Sequence, residues 1–179
     1  VPGSVGSGVD HLGFGYADLD RTMDRFAKTG VEIVSGVERE GPIRYAFIKD
    51  RWGTLIELVE DREIHRFHHV HLATTDPKAT LKWYTDVFGG RVTRFAGVLP
   101  GIRYGDVWVL VKTAKRPPAP TEGRSIDRLI WVENDARGAL NRFGARRIPL
   151  TVGQVAGGSK HILISGPDRV QLAITAPDR

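Results

Sequence analysis

The chain has 179 residues, a net charge of +5 and no cysteine. The missing thiol excludes disulfides, thiolate nucleophiles and cysteine-built zinc or iron–sulfur sites, and leaves the compartment unknown, with cytoplasmic and secreted settings both compatible. The positive charges are scattered among acidic residues, with no basic run longer than pairs such as Lys115-Arg116 and Arg146-Arg147, so nothing marks a nucleic-acid partner. No apolar stretch reaches the roughly 18 residues of a membrane-spanning helix.

Residues 1–8, VPGSVGSG, read as a linker remnant. The chain begins Val1-Pro2 rather than with Met, so a preceding piece is expected to have been removed. From Val9 onward one pattern occurs three times: VDHLGFGYADLDRTM from Val9, HHVHLATTDPKAT from His68 and IDRLIWVENDARGAL from Ile126. Aligned, the copies place His11, His69 and Arg128 at one position, 58 and 59 residues apart, and an aspartate follows seven residues later in each: Asp18, Asp76 and Asp135.

Each aspartate stands where an alternating pattern gives way to a helical one, so each is a predicted N-cap that accepts hydrogen bonds from free N–H groups of the first turn. Pro77 follows Asp76 at a position where its missing N–H costs nothing. The helices should bury Leu19, Met23 and Phe26; Ala79, Trp83 and Val87; and Ala136, Leu140 and Phe143, at the i, i+3/i+4 spacing. They should close near Gly30, Gly89 and Gly144. Three strand-like segments follow every helix. The predicted fold class is therefore α+β, built from three βαβββ modules: module one over 9–60, a short linker over 61–67, module two over 68–113, a Pro-rich linker over 114–125, and module three over 126–176.

Three of the six histidines lie in FHHVHL. In a strand, His69 and His71 point to one face and His68 and Val70 to the other. His68 and His71 are expected to pack or to face solvent. His65 sits in a linker, and His161, at the place of Tyr45 in the repeat, is expected to pack across strands. Arg128 is expected to face solvent or to pair with Asp127 or Asp168. Trp83 and Tyr84 belong to a helix core. The glycines of GSVGSG lack the strand and helix that a phosphate loop needs.

Three pieces, DHLGFGYADLD or HHVHLATTDP, WYTDVFGG, and DRWGTLIELVE, resemble the vicinal-oxygen-chelate superfamily of glyoxalases, bleomycin-resistance proteins and extradiol dioxygenases. The resemblance spans nearly the whole chain. It implies that paired modules form curved sheets around a cleft, with metal ligands from the first and last strands. Carried over by position, the first-strand ligand falls on His11 and His69. The last-strand glutamate falls on Glu57 in module one, on Leu110 in module two, and on Ala173 or Gln171 in module three.

The metal set implied is His11, Glu57 and His69. Imidazole and carboxylate donors suit Fe(II) best for a dioxygenase-like centre, with Mn(II), Zn(II), Ni(II) and Co(II) compatible. The implied activity is dioxygenase-like or glyoxalase/lyase-like chemistry on a small oxygenated molecule. The alternative is a non-catalytic, metal-free binding protein of the bleomycin-resistance type. No catalytic residue beyond the ligands is identified.

Two pairings are open. If module one pairs with module two, the three ligands meet within the chain. If long and short linkers alternate, a lost module pairs with module one, and module two pairs with module three; the linker pattern favours this second arrangement. A homodimer exchanging modules would complete either one.

Overall fold

Each copy of the repeat folds as strand, helix and three strands. Module one comprises β1 (Val9–Tyr16), α1 (Leu19–Phe26), β2 (Glu32–Glu40), β3 (Ile43–Lys49) and β4 (Leu55–Glu60). Module two comprises β5 (Phe67–Thr74), α2 (Pro77–Phe88), β6 (Val92–Phe95), β7 (Leu99–Tyr104) and β8 (Val107–Thr113). Module three comprises β9 (Leu129–Val132), α3 (Ala136–Ala145), β10 (Thr151–Gln154), β11 (Lys160–Ser165) and β12 (Gln171–Thr175). The structure, a computed structural model, describes residues 1–154 and 160–176, the side chains of Ala136, Gln154 and Lys160 excepted. The predicted stripe position Ala136 and the part of module three over 155–159 lie outside that description.

The three aspartates cap as their positions predict. Asp18, Asp76 and Asp135 accept from the backbone N–H groups of Arg21, Ala79 and Gly138. Leu19, Met23 and Phe26 of α1 pack on Ala46, Ile48 and Leu58. The other two stripes are rotated from expectation. In α2, Thr80, Leu81, Tyr84 and Val87 are buried while Ala79 is exposed. In α3, Ala139 and Phe143 are buried and Leu140 is exposed. Apolar residues surround much of α2, so spacing alone does not select the face that meets the sheet. Gly89 ends α2 with a positive φ of 78°, the left-handed conformation glycine adopts without strain. Gly144 instead lies inside α3, which runs on to its cap at Arg146.

Within each module the first strand pairs in parallel with the last, as β1 with β4, β5 with β8 and β9 with β12. Modules one and two then join through antiparallel β1 and β5 into one eight-stranded sheet, ordered β2-β3-β4-β1-β5-β8-β7-β6. The linker-based expectation of a two–three sheet pairing is thereby corrected. The short linker suffices because β4, β1 and β5 are consecutive neighbours. The crossing is about 10 Å, well within the roughly 20 Å that six residues reach.

Module three forms its own sheet, β10-β11-β12-β9. It meets module two by packing of helices and sheet faces, without strand pairing between the two sheets. α2 and α3 pack together, and Tyr84, Val87 and Val109 share one core with Phe143, Ile164 and Leu172. Phe88 stacks on Trp131 at 4.1 Å between centroids. β9 is an edge strand, and its Ile130 and Val132 are 58% and 56% exposed. Residues 1–8 are held against the Pro-rich linker and module one: Gly8 N–H donates to the Ala119 carbonyl, and buried Ser4 accepts from the N–H of Leu55 in β4 through its hydroxyl. No helix among the described residues is long and apolar enough to cross a membrane.

At the centre of the shared core Tyr84 is fully buried, and its hydroxyl has no hydrogen-bond partner among the described residues. Burying an unpaired hydroxyl is unfavourable. Tyr84→Phe is therefore expected to raise stability by about 1 kcal/mol, and Tyr84→Ala to lower it by about 3–5 kcal/mol, both read from urea unfolding midpoints.

Candidate metal centre

The eight-stranded sheet carries α1 and α2 on one face and a cleft on the other. On the cleft face the β1–β5 register sets His11 opposite His71 and Gly13 opposite His69. The parallel pairings set Glu57 beside Gly13 and Leu110 beside His71. His11, Glu57, His69 and His71 converge there, all buried, each offering one donor atom within 4.8 Å of the others. His11 Nε2 lies 2.8 Å from Glu57 Oε2 and 3.0 Å from His71 Nδ1. His69 Nε2 lies 3.3 Å from Glu57 Oε2.

Gly13 makes this convergence fit. A Cβ at that position would stand 2.0–2.4 Å from three atoms of the His69 ring, so only the hydrogen of glycine leaves room for the imidazole. The repeat places His71 at the equivalent position in module two, since 71 − 13 equals the 58 residues that separate His11 and His69. One module thus supplies a gap, and the other fills the matching place with a ring. His11 and His71 meet edge to face at 4.6 Å.

Three of the four residues, His11, Glu57 and His69, are those the sequence singled out. His71 is a correction, since it was expected to pack or face solvent and instead faces the cluster. Its shared face with His69 follows from strand alternation, but its closeness to His11 needs the β1–β5 register. His68 packs as expected, buried against Phe95, but the face expected for it is corrected. A register shift between the Gly13–His69 and Phe14–Phe67 pairs breaks the alternation, and His68 Nδ1 comes within 2.9 Å of His69 Nδ1 instead of lying on the opposite face.

Asp10 was not identified from the sequence. It is buried, its Oδ1 2.9 Å from His11 Nδ1 and 2.7 Å from Lys112 Nζ. Burial opposes its ionisation, but the hydrogen bonds from His11 and Lys112 outweigh that and lower its pKa to about 2. Burial likewise opposes ionisation of Glu57, and the hydrogen bond from His11 with the approach of His69 holds it well below the ordinary carboxylate range. For His11, burial pulls the pKa down, but Asp10 and Glu57 together raise it. Burial and the neighbouring His11 and His69 lower His71 to about 3. One anionic carboxylate thus faces three imidazoles.

This donor set fits a divalent transition metal. Ligand atoms about 2.1 Å from one ion at right angles stand about 3 Å apart, close to the separations of 2.8, 3.0 and 3.3 Å. Among the described residues, buried His69 Nε2, although 3.3 Å from Glu57 Oε2, makes no hydrogen bond, as expected of an atom whose partner is not part of the chain. Beside the cluster opens a cavity of about 390 Å³ lined by Tyr45, Phe47, Leu99 and Lys112. Trp108 is buried against Phe95 in the cleft wall, whereas Trp52 is exposed under Arg51. In module three Arg128 pairs with Asp127, and Ala173 is buried beside Ile130. His161 is also buried.

The chain belongs to the Glyoxalase/Bleomycin resistance protein/Dioxygenase superfamily, whose model matches residues 2–58 and 66–174. A search of curated proteins returned no match. Among solved structures, glyoxalase I from Zea mays is similar at 16% identity and a TM-score of 0.74, over 94% of this chain and 67% of that one. A candidate dioxygenase from Bacillus subtilis is similar at 18% identity and a TM-score of 0.71, over 97% of this chain and 63% of that one. At such identities the likeness establishes the fold, which is that of paired βαβββ modules around a cleft.

Gly13→Ala tests the packing of the cluster. The added methyl must displace the His69 ring or β1, and overpacking of this kind costs about 1–3 kcal/mol. The expected outcome is a loss of that size in denaturant unfolding, against little change for Gly36→Ala, where a Cβ meets nothing within 4 Å.

Proposed function

We propose that this chain is a metal-dependent enzyme of its superfamily, acting on a small oxygenated molecule held in the cleft between modules one and two. The observation that carries the reading is the convergence of four buried donors, His11, Glu57, His69 and His71, at the module junction. His11, Glu57 and His69 would hold the ion, with His71 at hand as a further imidazole. Fe(II) is favoured, and Mn(II), Zn(II), Ni(II) and Co(II) suit the same donors. A divalent ion bound there supplies Lewis acidity to the oxygens of the substrate.

The chain's own residues set the rest. Tyr45, Phe47 and Leu99 present an aromatic and apolar wall to the body of a small substrate. Lys112, fixed by Asp10, brings a positive charge to the cavity edge. Glu57 contributes the cluster's one carboxylate, and Leu110 stands where the repeat would place a second. A glyoxalase of this superfamily would be expected to use a glutamate from each of two modules, so the single carboxylate favours dioxygenase-like chemistry over glyoxalase-like chemistry. The reading to be separated from this one is metal-free small-molecule binding, which the same aromatic wall would serve.

Elemental mass spectrometry separates them, on protein prepared without chelators or an affinity tag and reconstituted anaerobically with each of Fe(II), Mn(II), Zn(II), Ni(II) and Co(II) in turn. The expected result is about one metal per chain, falling at least roughly tenfold in His11→Ala and in His69→Ala. Failure of the unsubstituted protein to retain any of the five metals would overturn the reading and leave a binding protein.

A further inference from the structure

We propose that Asp10 and His68 are the two positioning residues of this centre, one for each module, each orienting the ligand imidazole that follows it. The inference rests on the metal reading above and goes beyond it. In the repeat Asp10 and His68 are equivalent, each directly preceding the shared ligand position, His11 or His69. Each also stands at a break in the β1–β5 ladder. One register shift falls between Val9 and His11, and the other sets Gly13 and Phe14 against His69 and Phe67. A bulge gives one strand an extra residue and re-aims its side chain. Both preceding residues are thereby brought onto the ring that follows them.

The contacts are the same in kind. Asp10 Oδ1 is 2.9 Å from His11 Nδ1, and His68 Nδ1 is 2.9 Å from His69 Nδ1. In both rings this occupies Nδ1 and leaves Nε2 directed at Glu57. Each positioning residue is itself backed by a charge. Lys112 Nζ bonds Asp10 at 2.7 Å. Asp61 Oδ2 stands 3.6 Å from His68 Nε2, while the N–H groups of Glu63 and Ile64 fix Asp61 through Oδ1 at 2.7 Å each. With His69 donating from Nδ1, His68 carries its proton on Nε2, towards Asp61. A ligand imidazole whose other nitrogen donates to a fixed partner is held in one tautomer and orientation and binds metal more tightly.

A purely structural role explains His68 poorly. It is fully buried, packs on Phe95, and its Nε2 has no hydrogen-bond partner among the described residues. An apolar side chain of similar shape would serve packing as well or better. The two roles therefore predict opposite outcomes for His68→Phe.

The test is titration of the chelator-treated full chain with Co(II), followed by visible absorption and by competition with a chromophoric chelator, alongside the thermal midpoint of each variant without metal. His68→Phe and Asp10→Ala should each weaken Co(II) binding by roughly ten- to hundred-fold, with the midpoint of His68→Phe equal to or above that of the unsubstituted protein. His68→Gln and Asp10→Asn keep an acceptor for the ring N–H and should recover most of the affinity. Unchanged affinity in both His68→Phe and Asp10→Ala would overturn the inference. So would a lowered midpoint in His68→Phe together with no recovery in His68→Gln. Failure of the unsubstituted protein to bind Co(II) would instead overturn the metal reading on which it rests.

Discussion

The antiparallel pairing of β1 with β5 is the constraint on which the rest of the molecule depends. It makes one sheet of two modules and brings the first strands of both to its centre. Each ladder partner then has a fixed address, with His71 across from His11 and His69 across from Gly13. A slip of one residue would exchange the two faces of a strand. It would turn Leu12 and Val70 into the cleft and drive the imidazoles into the apolar layer beneath the helices. The hydrophobic residues on the helix face therefore hold the register, and the register holds the donors.

The two modules are alike in backbone and unlike in what they contribute. Module one supplies a histidine, a glutamate and a glycine gap; module two supplies two histidines and a leucine. Gly13 is empty because the His69 ring needs the space. Leu110 is buried in the cleft wall with Trp108 and Phe95, where its counterpart Glu57 is an anion. The outcome is a cluster with one negative charge among four donors. A divalent ion, if held by that set, would keep a net positive charge and so would favour oxyanion ligands in the adjoining cavity.

Module three shows how the same pattern serves when the donors are absent. Its caps, helix and parallel first–last strand pair match the other copies, but Arg128 is engaged with Asp127. Its core is continuous with that of module two through α2 and α3. Linker length suggested a partnership between these two modules, and one exists, through packed helices and sheet faces and not through a shared sheet. A linker limits only how far apart two ends lie. It does not say which face or edge of each module meets the other.

The sequence by itself determined the repeat, the three capping aspartates, the βαβββ order and three of the four residues in the cluster. Those features are local, since a cap needs only its own first turn, and the position shared by His11 and His69 recurs wherever the strand does. The tertiary structure decided the pairing of modules, the inclusion of His71 and the contacts of Asp10 and His68 with the rings that follow them. His71 becomes a candidate ligand only because His11 lies across the ladder from it. Asp10 and His68 reach their rings only because the strand pairing shifts register beside each of them. Alternation assigns faces while a strand stays regular, and at a shift in register that rule no longer holds.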